Sequence, residues 1–92
     1  PEAHNNLGVA LKDQGELDNA VTSYNNALTL RPNYPEALNN LGVALKTKGE
    51  LDAAIASYEK AIELNPNYTE AYCNLGNAFK ILGELNAAVN EI

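Results

Sequence analysis

One histidine, one cysteine and twelve carboxylates are the residues of this 92-residue chain whose types invite a reading as a reactive site. Nucleophilic catalysis needs a base within hydrogen-bond reach of the nucleophile. His4 sits near the first residue, and Cys73 has no basic residue three or four positions away on a helix, so neither a general base nor an activated thiolate is assembled. Metal binding needs His, Cys or carboxylate groups that converge. Here Glu16, Asp18, Glu50, Asp52 and Glu84 recur instead in Gly-Glu-Leu-Asp and Gly-Glu-Leu-Asn strings, a setting that suits turns and helix starts. The pairs Gly8/Gly15, Gly42/Gly49 and Gly76/Gly83 belong to the same recurrence and form no phosphate loop. No catalysis, metal or cofactor is expected. What remains is polar: asparagine at 5, 6, 39, 40 and 74, with Asn77, and lysine at 12, 46 and 80. A side-chain amide offers both a donor and an acceptor, so it suits binding to a peptide unit.

Composition narrows the partners. Six Lys plus Arg against twelve Asp plus Glu leave a charge of −6, which disfavours nucleic acid, since affinity for phosphate backbones rests on cationic side chains. No apolar run approaches the roughly 18 residues of a membrane helix, and no basic-then-apolar leader precedes Pro1-Glu2-Ala3-His4. The expectation is a soluble chain with no nucleic-acid or membrane partner. One unpaired cysteine points to a reducing compartment, cytoplasmic by default.

Shifted by 34 residues, the sequence lies on itself. Residues 1–34 and 35–68 agree at 23 of 34 positions, and 35–58 and 69–92 at 12 of 24. A fixed period of this size marks a solenoid whose units pack only on their neighbours. The expected units are 1–34, 35–68 and a shortened 69–92, all one domain, and the short third unit implies a piece of a longer array whose ends pack against neighbouring copies.

Each unit reads as two helices. Pro35-Glu36 opens the first, with Pro1-Glu2 and Thr69-Glu70 as equivalents, because proline at the first helical position gives up an N–H that had no partner and the carboxylate meets the positive helix end. Gly15, Gly49 and Gly83 are expected to stop it in a left-handed turn. Asp18, Asp52 and Asn86 are expected to cap the second helix, which Pro32 and Pro66 end. His4, Leu7, Gly8 and Leu11 share one arc of the first helix, as do Leu38, Leu41, Gly42 and Leu45, and Tyr72, Leu75, Gly76 and Phe79. Mid-helix glycine costs about 0.5–1 kcal/mol against alanine, so its recurrence implies close approach of a partner helix. Ala20, Ala27, Ala54, Ala61 and Ala88 are the matching small surfaces on the second helix, and Tyr24 and Tyr58 fill the larger gaps. The fold class is all-α: antiparallel helix pairs stacked as an α-solenoid.

Leu7-Gly8, Leu11, Ala20, Tyr24, Ala27 and Pro32, repeated at 41, 42, 45, 54, 58, 61 and 66 and in part at 75, 76, 79 and 88, resemble the tetratricopeptide repeat signature. His4 and Leu38 replace the aromatic residue usual before Leu-Gly, and Leu11 and Leu45 replace a tyrosine; all keep the packing face apolar or nearly so. The resemblance implies a right-handed superhelix whose first helices line a concave groove for an extended peptide or partner helix. The expected groove residues are Asn5, Asn6, Val9, Lys12, Asn39, Asn40, Val43, Lys46, Asn74, Asn77 and Lys80.

The column Asn6, Asn40, Asn74 is similar to the asparagine row of O-linked N-acetylglucosamine transferase repeat regions, which grips peptide backbone. Duplication alone also reproduces such a column as solvated polar residues. The lysine column reads as a solvated face, with Glu2, Glu36 and Glu70 at the other end of the same helices. Val9, Val43 and Ile81 either line the groove or touch the next repeat. Chaperone-binding members clamp a peptide carboxylate with an early lysine and asparagine, where this chain has Asn5 and Val9, so carboxylate-clamp recognition is not expected. The function that follows is a non-catalytic interaction scaffold. End-to-end self-association, and a substrate-recruiting segment of a larger enzyme, are the alternatives.

Overall fold

The computed structural model describes residues 1–90, with side chains through residue 87. Five helices follow in order: α1 Glu2–Asp13, α2 Leu17–Leu30, α3 Pro35–Lys48, α4 Leu51–Leu64 and α5 Thr69–Asn90. There is no strand among the described residues. Pro35 occupies the start of α3, and Glu2, Glu36 and Glu70 lie in the first turns of α1, α3 and α5, where a carboxylate complements the helix dipole.

The stops between paired helices are left-handed. Gly15 and Gly49 have φ of 82° and 89°, a region from which a side chain is largely excluded. Gly49 N–H donates to Lys46 O at 2.9 Å and Glu50 N–H to Leu45 O at 2.9 Å, and the same pair of bonds recurs at Gly15 and Glu16. These satisfy carbonyls that a helix end leaves open. The turn is so tight that Glu16 and Glu50 become the N-caps, and neither makes a side-chain cap bond. Asp18 and Asp52 therefore do not cap as expected. They lie one residue inside the helix, and contribute charge to the first turn rather than a hydrogen bond.

Each pair closes on a glycine and a ring. A Cβ placed on Gly8 would fall 2.5 Å from Tyr24 Cε1, and one on Gly42 the same distance from Tyr58 Cε1. No real carbon tolerates that separation, so glycine at 8 and 42 is what admits the tyrosine. Tyr24, Tyr58, Ala20, Ala27, Ala54 and Ala61 have no solvent exposure. The main core joins Ala20 and Tyr24 of the first pair to Leu41, Ala44, Leu45, Ala54, Ile55 and Tyr58 of the second and to Ala78 of α5. Leu41 is 7% exposed where its counterpart Leu7 is 50% exposed, because α2 of the preceding pair covers α3 and no described helix precedes α1.

The stack is one-sided. α2 packs on α3 and α4 on α5; α1 touches α3 and α3 touches α5, while α2 and α4 stay apart. The first helices thus form a continuous surface, and the second helices splay outward. At the turn edge, Lys48 pairs with Asp18 of the preceding repeat and with Glu50.

The third unit departs from the expectation. α5 runs unbroken from Thr69 through Gly83 to Asn90, so Gly83 makes no left-handed stop and no second helix starts near Asn86. A hairpin forms when the returning helix gains packing that outweighs the ordering of the turn. In the first two repeats Tyr24 and Tyr58 supply that packing; the equivalent position here is Ile92, which lies outside the described residues, as does the side chain of Ala88. Correspondingly, a methyl group on Gly76 would meet nothing within 4 Å.

Candidate functional site

The first-helix surface carries the expected polar set, and burial divides it. Asn5 and Asn39 are buried, Asn39 to 1% exposure, whereas Asn6 is exposed and Asn40 and Asn74 are half-buried. The division has a direct cause. Asn40 Nδ2 donates to Asn5 Oδ1 at 3.1 Å, and Asn74 Nδ2 donates to Asn39 Oδ1 at 3.0 Å. Each repeat thus accepts at its fifth position a bond from the sixth position of the next repeat. A buried polar group left without a partner would cost about 1–3 kcal/mol, and this exchange meets that demand for the Asn5 and Asn39 side-chain oxygens.

The two links differ in their surroundings. Asn39 Nδ2 has no hydrogen-bond partner within ordinary reach among the described residues. Beside it lies the Tyr68 hydroxyl, whose pKa is raised by burial and by the nearby Glu70 and Glu36 carboxylates and held back by the Asn39 amide. Cys73 stands where Asn5 and Asn39 stand in the other repeats and is exposed, so the chain of amide links ends there.

The sequence signal for these links is a spacing of 35, one more than the period, between Asn5 and Asn40 and between Asn39 and Asn74. A reading by equivalent positions aligns Asn6 with Asn40 and Asn74 and passes over this diagonal pairing.

Val9 and Val43 are half-buried and pack against the main core, so their side chains close the seam as well as forming the floor of the surface. Lys12 and Lys46 are half-buried and Lys80 is exposed; Asn77 is exposed and Ile81 half-buried. Glu2, Glu36 and Glu70 lie at the opposite end of the helices, all three exposed. The surface has an amide row at its middle, a lysine row toward one edge and a glutamate row toward the other.

No three His, Cys, Asp or Glu residues among those described gather closely enough to hold a metal, and no pocket opens in the described surface. No described helix is long and apolar enough to cross a membrane. The arrangement presents hydrogen-bonding groups along an open face, which suits a ligand laid across the helices rather than one enclosed.

A family pattern described as TPR repeat matches residues 10–49 and 44–83. Among solved structures, MamA is 34% identical with a TM-score of 0.87 over 97% of this chain and 52% of its own. The first TPR of Spaghetti (RPAP3), bound to HSP90 peptide SRMEEVD, is 28% identical with a TM-score of 0.84 over 87% of this chain and 64% of its own. The Sgt2 TPR domain from Aspergillus fumigatus is 26% identical with a TM-score of 0.87 over 90% of this chain and 55% of its own. The chain thus spans between half and two-thirds of the length of each. No curated protein matches it.

Proposed function

Because this chain belongs to the tetratricopeptide repeat family, we propose that it is a non-catalytic scaffold that binds an extended peptide across α1, α3 and α5. The observation that carries the reading is the division of labour among the asparagines. Asn5 and Asn39 are buried in the seam as acceptors, while Asn40 and Asn74, which donate to them, and Asn6, which does not, keep further donor and acceptor capacity. Asn6 makes no side-chain hydrogen bond among the described residues, and Asn40 and Asn74 use one N–H each, which leaves each an Oδ1 acceptor and a second N–H. Such groups pair with peptide backbone whatever the ligand's side chains. Val9, Val43 and the stems of Lys12 and Lys46 supply apolar contact beside them, and Asn77 and Lys80 continue the face on α5. Asn5 and Asn39 act from behind, holding the amides they accept from.

The HSP90 peptide of the Spaghetti structure belongs to that protein. In this chain a carboxylate clamp lacks its lysine, since Asn5 is buried in the seam and Val9 is packed on the core. We expect binding that does not depend on a terminal carboxylate. The amide row supports a second, finer reading, in which the chain recruits substrates for a larger enzyme such as an O-GlcNAc-type glycosyltransferase.

The test is a titration with the peptide SRMEEVD in its free-acid and C-terminally amidated forms, beside peptides selected from a random-sequence library on the immobilised chain. Selected peptides that shift the side-chain amide resonances of Asn6, Asn40 and Asn74, with no preference for the free acid, are the expected result. A strict requirement for the free carboxylate, or no selected peptide at all, would overturn the reading.

A further inference from the structure

Tyr34 and Tyr68 stand at the same place in successive repeats, one residue before α3 and one before α5. The Arg31 guanidinium lies over the Tyr34 ring, its carbon 4.5 Å from the ring centre, in cation–π range. Arg31 is exposed while it lies there, so the place over the ring is reached from solvent. It stays open with both helices of the following repeat, α3 and α4, in position. The second repeat has Asn65 where the first has Arg31. The backbone takes the same course, with φ and ψ of −137° and 87° at Asn65 against −142° and 87° at Arg31. The Asn65 side chain carries no charge, and its own turn engages it: Asn67 N–H donates to Asn65 Oδ1 at 3.3 Å. The cation that the first repeat supplies to its tyrosine is therefore missing from the second.

The surroundings of Tyr68 favour a cation. Its hydroxyl meets the amide row at Asn39, and the Glu36 and Glu70 carboxylates lie near it. Both glutamates are exposed, and neither pairs with a cation among the described residues. The charge of −6 on the chain adds a longer-range attraction for the same sign.

We infer that the face of Tyr68 left without its arginine is a seat for a guanidinium group, and that the peptide ligand supplies that group as an arginine side chain. The second half rests on the peptide reading above. A guanidinium is favoured over an ammonium because its plane stacks on an aromatic face and is more weakly hydrated, and the first repeat uses one there. Tyr68 adjoins Asn39, which accepts from Asn74, so an arginine of a peptide on the amide row reaches the ring. It fixes the register of a backbone that amides alone bind in any register.

NMR titration with N-acetyl-arginine amide and with N-acetyl-citrulline amide, its uncharged isostere, tests the seat. The arginine probe is expected to shift the Tyr68 ring resonances saturably and to leave those of Tyr34, already covered by Arg31, in place; the citrulline probe moves neither. Asn65→Arg copies the first repeat on a backbone of the same conformation, so it folds and silences the response of Tyr68. Peptides selected from a random-sequence library on the native chain are expected to carry arginine and to lose about three- to tenfold in affinity when it is replaced by citrulline, less in added salt. Those selected on Asn65→Arg show no such preference. No saturable shift at Tyr68, equal shifts from the two probes, or a native response in Asn65→Arg would overturn the seat. Selected peptides that move the Asn6, Asn40 and Asn74 amides without arginine enrichment would overturn the proposal and leave the peptide reading standing. A saturable arginine response at Tyr68 with no peptide selected would keep the seat and overturn a peptide as its source.

Discussion

At the scale of single residues, the repeated glycine of the first helix has two different meanings. Gly8 and Gly42 are required by rings that a methyl group would strike at 2.5 Å, whereas Gly76 faces open space. Gly42→Ala should destabilise the fold by about 1–3 kcal/mol through overpacking. Gly76→Ala should stabilise it by about 0.5–1 kcal/mol. Urea denaturation of both variants checks the contrast, and equal effects would contradict it. The tyrosines behind the first two glycines carry a pH signature. Burial pushes Tyr24 and Tyr58 from 10.0 to about 12, with Asp13 adding to the rise at Tyr24. Below pH 10 both phenols are neutral whether the chain is folded or not, and their contribution is fully present. Between about 10 and about 12 the unfolded chain ionises them and the folded chain resists, so stability falls as pH rises through this window. Their hydroxyls also have no hydrogen-bond partner among the described residues, so Tyr24→Phe with Tyr58→Phe should retain native stability at neutral pH and flatten the alkaline decline. An unaltered decline in the double variant would refute this assignment. Close approach at Gly8 and Gly42 was readable from the sequence because a costly residue recurs there, but that the tyrosine ring and not an alanine stands against the glycine was not. Nor were the amide links, because they join neighbouring repeats one position out of register.

At the scale of elements, the helix pairs follow from local sequence wherever the returning helix has something to pack. Gly15 and Gly49 adopt the left-handed conformation and Gly83, in the same Gly-Glu-Leu setting, stays in the helix. Local pattern therefore marks where a turn is permitted, and a buried tyrosine stands nine residues after each of the two glycines that make one. Three identical stop signals in the sequence yield two stops. Alanine substitution separates the cases: Gly49→Ala should cost about 1–2 kcal/mol, the penalty for a side chain in the left-handed region, while Gly83→Ala should gain about 1 kcal/mol from helix propensity. Thermal melts followed by circular dichroism measure both, and a loss at Gly83 comparable to that at Gly49 would mean that a turn forms there. The displaced caps have a similar origin. Residue type alone puts Asp18 and Asp52 at the helix boundary, but the tight stop sets that boundary two residues earlier, at Glu16 and Glu50.

At the scale of the molecule, the stacking of first helices makes one face continuous and leaves the second helices apart, and this asymmetry creates an open surface with rows rather than a cleft. The all-helical fold class was legible from the 34-residue period. The division of the asparagines into seam and surface was not, since burial depends on how one repeat is set against the next. That division also sharpens the test of function. Asn40 and Asn74 hold the seam as well as the face, so their loss mixes stability with binding. Asn6 is exposed and takes no part in the seam, which makes Asn6→Ala the clean variant. The decisive measurement is calorimetric titration of a library-selected peptide into the native chain, Asn6→Ala and, as a control on the outward surface of α4, Glu59→Ala. The expected result is a loss of about 1–2 kcal/mol for Asn6→Ala from the removed hydrogen bonds, roughly five- to thirtyfold in affinity, with native helicity and an unchanged Glu59→Ala. Native affinity in Asn6→Ala, or a loss confined to Glu59→Ala, would contradict peptide binding on the first-helix face.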